Sequence, residues 1–294
     1  MATNSPITVF HGRVSQNSAQ VYAQVTSRPG GGEWTLSGTV RGPRCQFSHT
    51  LPTSFSFRDA GRGSTLLAEA IVSEPCFWSP RLPSLYDVRI ELCCGGDVQQ
   101  TFERSLGIRF WGTRGNSLVL EGDRWVLRGV QSANVQEAPI ADWRAASAAV
   151  VVTDPSNEQC RMASEQGLLI VARLVSTNGI RQQLQRLGRW GAVAVAVLPA
   201  ETDLPADVRQ VAPNLLLAQW EAGQQPVKPV SWAQLVFCEV TNARRFHELV
   251  QGCPLPLVAV RGLNGVQSLI AARRGCDQLQ RDLAPHGDYA GYVV

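Results

Sequence analysis

The sequence predicts a β-sandwich followed by a compact (β/α)8 barrel. Two observations carry this. Up to about residue 115, short alternating apolar runs are separated by Gly, Pro and Asp, the signature of half-buried antiparallel strands. From Trp125 onward, nearly continuous apolar runs alternate with helix-patterned stretches, as strands buried on both faces and joined by helices do. The expected division is residues 1–115 for an immunoglobulin-like β-sandwich and 116–294 for a TIM-type barrel.

In the first part, SAQVYAQVTS alternates around Val21, Ala23 and Val25, and EWTLSGTVRG through Trp34, Leu36 and Val40. CQFSHTLP, SFSFRD and TLLAEAIVS follow as further strands. YDVRIELCC sets Val88, Ile90 and Leu92 against Asp87, Arg89 and Glu91. Gly95, Gly96 and Asp97 then turn the chain into VQQTFERS, which reads as a hairpin. About seven short strands in about 100 residues is the count of an immunoglobulin-like sandwich.

In the second part the apolar runs are WVLRGV, AAVVVTD, GLLIVARL, AVAVAVL, NLLLAQW, QLVFCEV, PLVAVRG and YAGYVV. Their spacing of roughly 20 to 25 residues, longer before the last, suits βα repeats. SNEQCRMASEQG has an N-cap residue in Ser156 and a stop in Gly167. NGIRQQLQRLGRW places Ile180, Leu184 and Leu187 on one face. NARRFHELVQG and NGVQSLIAARRGCDQLQRDLAPHG are patterned alike. Pro226 and Pro229 limit EAGQQPVKPVSWA to a short helix at most. Eight strands predict a closed barrel, although ~170 residues is below the usual ~200 to 250. An open doubly wound sheet is the structural alternative, with no GxGxxG or GxxxxGK[ST] turn to support it. The eighth strand ends the chain at Val294 with no helix after it, so it is expected to open first.

Composition narrows the function. Of 294 residues, 44% are hydrophobic and 17% charged, which places the chain among globular proteins. The net charge of +3 comes from scattered arginines, with Lys228 the one lysine, so no nucleic-acid surface is expected. The eight cysteines fall in no metal-ligand spacing and are expected to be reduced. Neither a metal nor a cofactor is expected. No apolar run reaches the ~18 to 20 residues that span a membrane. The start, MATNSPITVFHG, has no basic segment followed by an apolar one, so the expected location is cytoplasmic. Both ends of the sequence are abrupt, as in a segment of a longer protein.

The junction between the two parts resembles glycoside hydrolase family 2, which includes β-galactosidases, β-glucuronidases and β-mannosidases. The residues that carry the likeness are Trp78-Ser79-Pro80, Pro83, Leu85-Tyr86, Gly107-Ile108-Arg109 and Leu127-Arg128-Gly129-Val130, in family order and spacing. The likeness extends over about residues 20–294, and the family's N-terminal sugar-binding sandwich has no counterpart here. In the barrel, Ser164 to Ile170 follow the family's Asp-Glu-x-Gly-Leu-Leu-Val, but Arg173 stands where the family has Glu. After the first barrel strand, Gln131, Ser132 and Ala133 replace its Asn-Arg-His.

The resemblance implies a retaining glycosidase site, with one carboxyl as acid/base and one as nucleophile ~5 Å apart. Both would sit at C-terminal strand ends, where such barrels place their chemistry. The family's Asn-Glu pair on the fourth strand falls on Ala200 and Glu201. Glu201 is thus the expected acid/base residue, without its asparagine neighbour. On the seventh strand Arg261 stands in the nucleophile position, and a guanidinium cannot attack an anomeric carbon. Whether the chain is an enzyme is therefore left open. The expected reading is a catalytically degenerate relative that binds a carbohydrate or a protein partner at the barrel mouth.

Asp154, Arg173, Trp220, Glu239 and Arg261 are the expected binding residues. Three bland readings stand beside these and Glu201. Glu201 would be a solvated loop carboxylate beside Thr202 and Asp203. Arg261 with Glu239, and Arg173 with Asp154, would form ion pairs that cap the mouth. Trp220 would be core rather than a platform for a sugar ring. The rivals are an active hydrolase pairing Glu201 with Glu239 or Asp154, and an interaction module whose barrel mouth is closed. His247 and His286 have no second ligand in sequence and are given no role.

Overall fold

The computed structural model describes residues 7–25, 32–61, 66–204, 206–262 and 268–294. The chain divides into two compact units, Met1–Phe110 with Arg189–Gly191, and Trp111–Gly188 with Ala192–Val294.

Among the described residues the first unit holds eight strands: β1 (Ile7–Val14), β2 (Ser18–Val25), β3 (Trp34–Arg44), β4 (Thr53–Ser56), β5 (Arg58–Asp59), β6 (Leu67–Ser73), β7 (Leu85–Cys94) and β8 (Asp97–Leu106). They form two antiparallel sheets, ordered β1-β2-β6-β5 and β4-β3-β7-β8. Alternation builds both. Ala19, Val21, Ala23 and Val25 of β2 are buried while their neighbours are half-exposed. Val88, Ile90 and Leu92 of β7 join Val21, Ala70 and Val72 in one core, so the inner faces meet as in a sandwich. The GGD hairpin joins β7 to β8 with Cys94 opposite Asp97.

Three strand expectations need correction. β1 lacks a clean apolar alternation, because His11 occupies the third inward position of ITVFHGRV, after Ile7 and Val9. CQFSHTLP is not a strand; it makes one isolated bridge, Cys45 to Ser48. SFSFRD supplies both β4 and β5, which join different sheets.

The second unit opens with a three-stranded meander, β9 (Trp111–Arg114), β10 (Ser117–Leu120) and β11 (Asp123–Trp125). Trp125 thus ends the meander instead of opening the barrel. The barrel strands are β12 (Leu127–Gln131), β13 (Ala149–Thr153), β14 (Ile170–Arg173), β15 (Val193–Pro199), β16 (Leu216–Glu221), β17 (Leu235–Glu239), β18 (Leu257–Val260) and β19 (Gly291–Val293). All neighbours are parallel, and β19 pairs with β12 through Leu127–Gly291 and Gly129–Val293. The sheet is therefore a closed barrel, and the open-sheet alternative is excluded. Closure brings strands near enough that a Cβ at Gly291 would lie 2.6 Å from Leu127 Cβ.

Helices follow most strands: α1 (Ile140–Ala145), α2 (Asn157–Gln166), α3 (Ile180–Gly188), a single turn α4 (Val208–Val211), α5 (Ala243–Val250) and α6 (Leu269–Leu283). A short 3-10 turn, Val135–Glu137, precedes α1. Ser156 and Gln159 form a reciprocal capping box on α2, and left-handed Gly167 ends it, as their residue types require. The expected start of the last helix at Asn264–Val266 lies outside the described residues; Ser268 caps the described part.

No helix follows β16 among the described residues. The buried side chain of Gln219 substitutes, donating from Nε2 to Lys228 O (2.9 Å) and accepting from Val230 N at Oε1 (2.9 Å). A buried loop backbone must find such partners. The last strand is also better covered than expected. Tyr292, Val293 and Val294 are at most 2% exposed. α6 packs on both β12 and β19, Cys276 Sγ reaches Gly129 O at 3.2 Å, and Arg128 pairs with Asp277 while lying over the Tyr292 ring. The helix before the strand does what one after it would have done.

All eight cysteines are free, four buried and four half-buried. Burial pushes the thiols of Cys160 and Cys238 up to about 12. No helix among the described residues is long and apolar enough to cross a membrane.

Candidate functional site

The family-like residues of the first unit are structural. Trp78 is 1% exposed; its N–H donates to Ile108 O at 2.7 Å, and it bridges to Pro83. Ser79 closes the intervening loop, accepting at Oγ from Leu82 N at 3.2 Å. Tyr86 Oη accepts from Cys76 N at 2.8 Å, and burial pushes its phenol up to about 12. Gly107 lies so close to Trp78 that an added Cβ would come within 3.1 Å of the indole. Arg109 N donates to His11 Nε2 (3.3 Å), and Arg109 Nη1 donates to Gly191 O (3.1 Å). Burial first, and the Arg109 cation second, push the His11 imidazole down to about 3. It is therefore neutral, an acceptor held by its surroundings.

In the second unit the C-terminal strand ends form the barrel mouth. Register fixes which side chains share a face. Thr153 pairs with Arg173 and Arg173 with Val197; Pro199, two residues beyond Val197, pairs with Trp220, and Trp220 with Phe237. Glu239, two residues beyond Phe237, pairs with Val260, which pairs with Val293. Because strand side chains alternate, Thr153, Arg173, Trp220, Glu239 and Val260 lie on one face. The guanidinium carbon of Arg173 sits 3.9 Å from the Trp220 ring centroid.

That contact changes the expected roles. Arg173 makes no ion pair with Asp154 among the described residues. Asp154 is exposed, in a left-handed backbone at φ 46°, and its N–H donates to Arg173 O at 3.0 Å. Trp220 presents one face to the guanidinium, which withdraws that face from sugar stacking. Arg261 does not pair with Glu239. It follows Val260, so its side chain takes the other face, where Nη1 donates to Asp282 Oδ2 of α6 at 2.7 Å. This contact holds the Asp282 carboxyl below the usual carboxylate range. Glu201 is exposed, in the turn after β15.

A cleft of about 680 Å³ opens at the mouth between the ends of β12, β13 and β14 and the start of α6. Its polar lining is Gln131, Ser132, Glu137, Thr153, Arg173 and Ser268, with Trp143 in its wall. Arg173 is the one expected binding residue among them; Asp154, Glu201, Trp220, Glu239 and Arg261 do not line the cleft. Glu137 and Trp143 carry no sequence signal, since a 3-10 turn and the short α1 deliver them. Gln131 and Thr153 were accessible, because strand-end residues of such barrels face the site. Ser132 donates to Glu137 and to Asn134 O (2.7 Å), which fixes the loop after β12. Among the described residues no group of three His, Cys, Asp or Glu could hold a metal ion. The cleft offers hydroxyls, one amide, one cation and one carboxylate, which is equipment for binding a polar ligand.

In chain order a two-sheet sandwich precedes a closed parallel barrel. Residues 8–109, about a third of the chain, match the family described as glycosyl hydrolases family 2, and in that stretch the chain is similar to it. Solved structures agree in fold. A β-glucuronidase from Ruminococcus gnavus in complex with D-glucaro 1,5-lactone superposes with a TM-score of 0.65 at 12% identity, over 98% of this chain and 60% of that one. Bacteroides uniformis β-glucuronidase gives 0.62 at 14% identity, over 98% and 45%. Bacteroides uniformis β-glucuronidase 2 covalently bound to cyclophellitol-6-carboxylate aziridine gives 0.61 at 14%, over 98% and 45%. The chain thus spans about half the length of the solved structures it matches. Comparison with curated proteins found no match.

Proposed function

We propose that this chain is a family 2-like protein that binds a carbohydrate at its barrel mouth without hydrolysing it. One observation carries the reading: among the described residues the mouth cleft is lined by a single carboxylate, Glu137. Glycoside hydrolysis by either stereochemical route uses two. Two further features support it. Arg261, in the family's nucleophile position, directs its charge to Asp282 on the other face. Glu201, in the family's acid/base position, is solvent-exposed and outside the cleft. In this reading residues 1–115 are a supporting sandwich and 116–294 carry the binding. The open cleft argues against a barrel mouth plugged by side chains.

The rival reading, an active hydrolase pairing Glu201 with Glu239, draws on one observation. Glu239 is half-buried at the end of β17, on the same face as Arg173 and Trp220. Turnover separates the two. The purified chain is assayed on aryl β-glucuronides, β-galactosides and β-mannosides beside its Glu201→Gln and Glu239→Gln variants. All three proteins are expected to match the buffer rate. Hydrolysis by the wild type that either variant abolishes would replace the binding reading with the enzymatic one.

A further inference from the structure

We propose that His247 and His286 form a two-imidazole site for a late first-row divalent metal ion, Ni²⁺, Cu²⁺ or Zn²⁺, at the end of the barrel opposite the mouth. The site is independent of the carbohydrate reading. Neither histidine has a second ligand in its own stretch of sequence; the fold supplies each with the other.

His247 is in the last turn of α5, and His286 is in the turn between α6 and β19. These connections deliver the chain to the N-terminal ends of β18 and β19, so the pair lies away from the strand ends that form the cleft. The two ring centroids are 5.7 Å apart, with planes 30° from parallel. An ion ~2.0–2.1 Å from one nitrogen of each ring lies ~3.2 Å from each ring centre, and a tetrahedral angle then sets the centres ~5.2 Å apart. A small side-chain rotation closes the remaining gap. Both rings are half-buried, and neither makes a side-chain hydrogen bond or ion pair among the described residues.

The backbone that carries the pair is fixed by packing. Phe246, next to His247, is 1% exposed and meets Tyr289 edge-on at 5.2 Å. Tyr289, three residues after His286, meets Tyr292 of β19 at 6.4 Å. Ligands on such a support are preorganised.

The donor set selects the ion. Glu248 pairs with Arg244 and Arg245 at 3.5 and 3.6 Å, and Asp288 with Arg124 at 2.5 Å. The nearest carboxylates in sequence are thus held by arginines, in keeping with the lack of a three-ligand group among the described residues. Two imidazoles without a carboxylate suit Ni²⁺, Cu²⁺ and Zn²⁺, whereas Ca²⁺ and Mg²⁺ take oxygen ligands. Water fills the remaining positions. A bound ion ties the end of α5 to the turn that feeds the last strand.

The test is calorimetric titration of the reduced full chain with Ni²⁺, Zn²⁺ and Mg²⁺. Ni²⁺ and Zn²⁺ are expected to bind and Mg²⁺ is not. His247→Ala and His286→Ala are each expected to weaken Ni²⁺ binding by ~tenfold or more, since losing even an outer-shell partner costs ~10–100-fold. His286→Phe keeps a ring contact without a ligand and is expected to behave like His286→Ala. His49→Ala is expected to bind as the wild type does. Ni²⁺ is expected to raise the melting temperature of the wild type and of neither His247→Ala nor His286→Ala. In the wild type, substoichiometric Cu²⁺ is expected to broaden the ring resonances of His247 and His286 together, a reading that needs no variant. No binding of Ni²⁺ or Zn²⁺, binding that neither or only one of the two alanine variants weakens, or Ni²⁺ affinity retained in His286→Phe would overturn the site and leave an aromatic contact only.

Discussion

Replacing His11 with glutamine separates one buried titration from the rest of the protein. In the folded chain the His11 imidazole is pushed down from 6.5 to about 3, chiefly by burial. Unfolded, it titrates near its ordinary value. Between those two pH values the unfolded chain binds a proton that the folded chain refuses, so stability falls as pH falls. The contribution is fully present above pH 6.5 and is lost progressively toward pH 3. At pH 5 the deficit spans about 1.5 pH units at about 1.4 kcal/mol each, or about 2 kcal/mol. The substituted glutamine would keep an acceptor for the Arg109 amide and cannot protonate. Urea unfolding of wild type and His11→Gln at pH 7 and pH 5 measures the difference directly. Wild type is expected to lose about 2 kcal/mol more than the variant. Equal losses in the two proteins, or an NMR titration of His11 with a midpoint near 6, would refute the burial argument.

Further outcomes follow from the barrel. Gly291→Ala forces a Cβ to within 2.6 Å of Leu127 Cβ and is expected to destabilise by at least the ~1–3 kcal/mol of overpacking, read from thermal unfolding. Gln219→Met leaves the Lys228 carbonyl and Val230 amide without their partner; a loss of ~1–3 kcal/mol and faster proteolysis within 222–231 are expected. Hydrogen exchange at Tyr292 to Val294 is expected to be as slow as in β15, because α6 covers that strand; early opening there would show that the covering helix adds little. Thiol titration of the unfolded chain before any reductant is expected to find all eight cysteines.

The barrel was legible because parallel strands buried on both faces leave continuous apolar runs, as VAVAVLP does in β15. The sandwich was legible where alternation is clean, as in β2 and β7, and failed where a buried polar side chain broke it, as His11 does in β1. CQFSHTLP shows the converse: its alternation is real, but the segment lies outside both sheets. The candidate site was less legible. Strand-end positions can be counted from sequence, which located Arg173 and Glu239. The direction of Arg261 depends on strand parity and on Asp282, 21 residues away on α6. The stacking of Arg173 on Trp220 joins strands that are not neighbours in the barrel, and no local pattern encodes such a contact. Trp143 enters the cleft from a six-residue helix that follows Pro139, where periodicity has little to act on.

The proposed function requires that no carboxylate at the barrel mouth act as a glycosidase nucleophile. Incubation with cyclophellitol aziridines, followed by intact-mass measurement and peptide mapping, tests it most directly. Bacteroides uniformis β-glucuronidase 2 is covalently bound by a reagent of this type. Here Arg261, in the position that the family resemblance gives to the nucleophile, pairs with Asp282. The expected result is no adduct on any carboxylate after prolonged incubation. An adduct mapped to Glu137, Glu201 or Glu239 would contradict the claim.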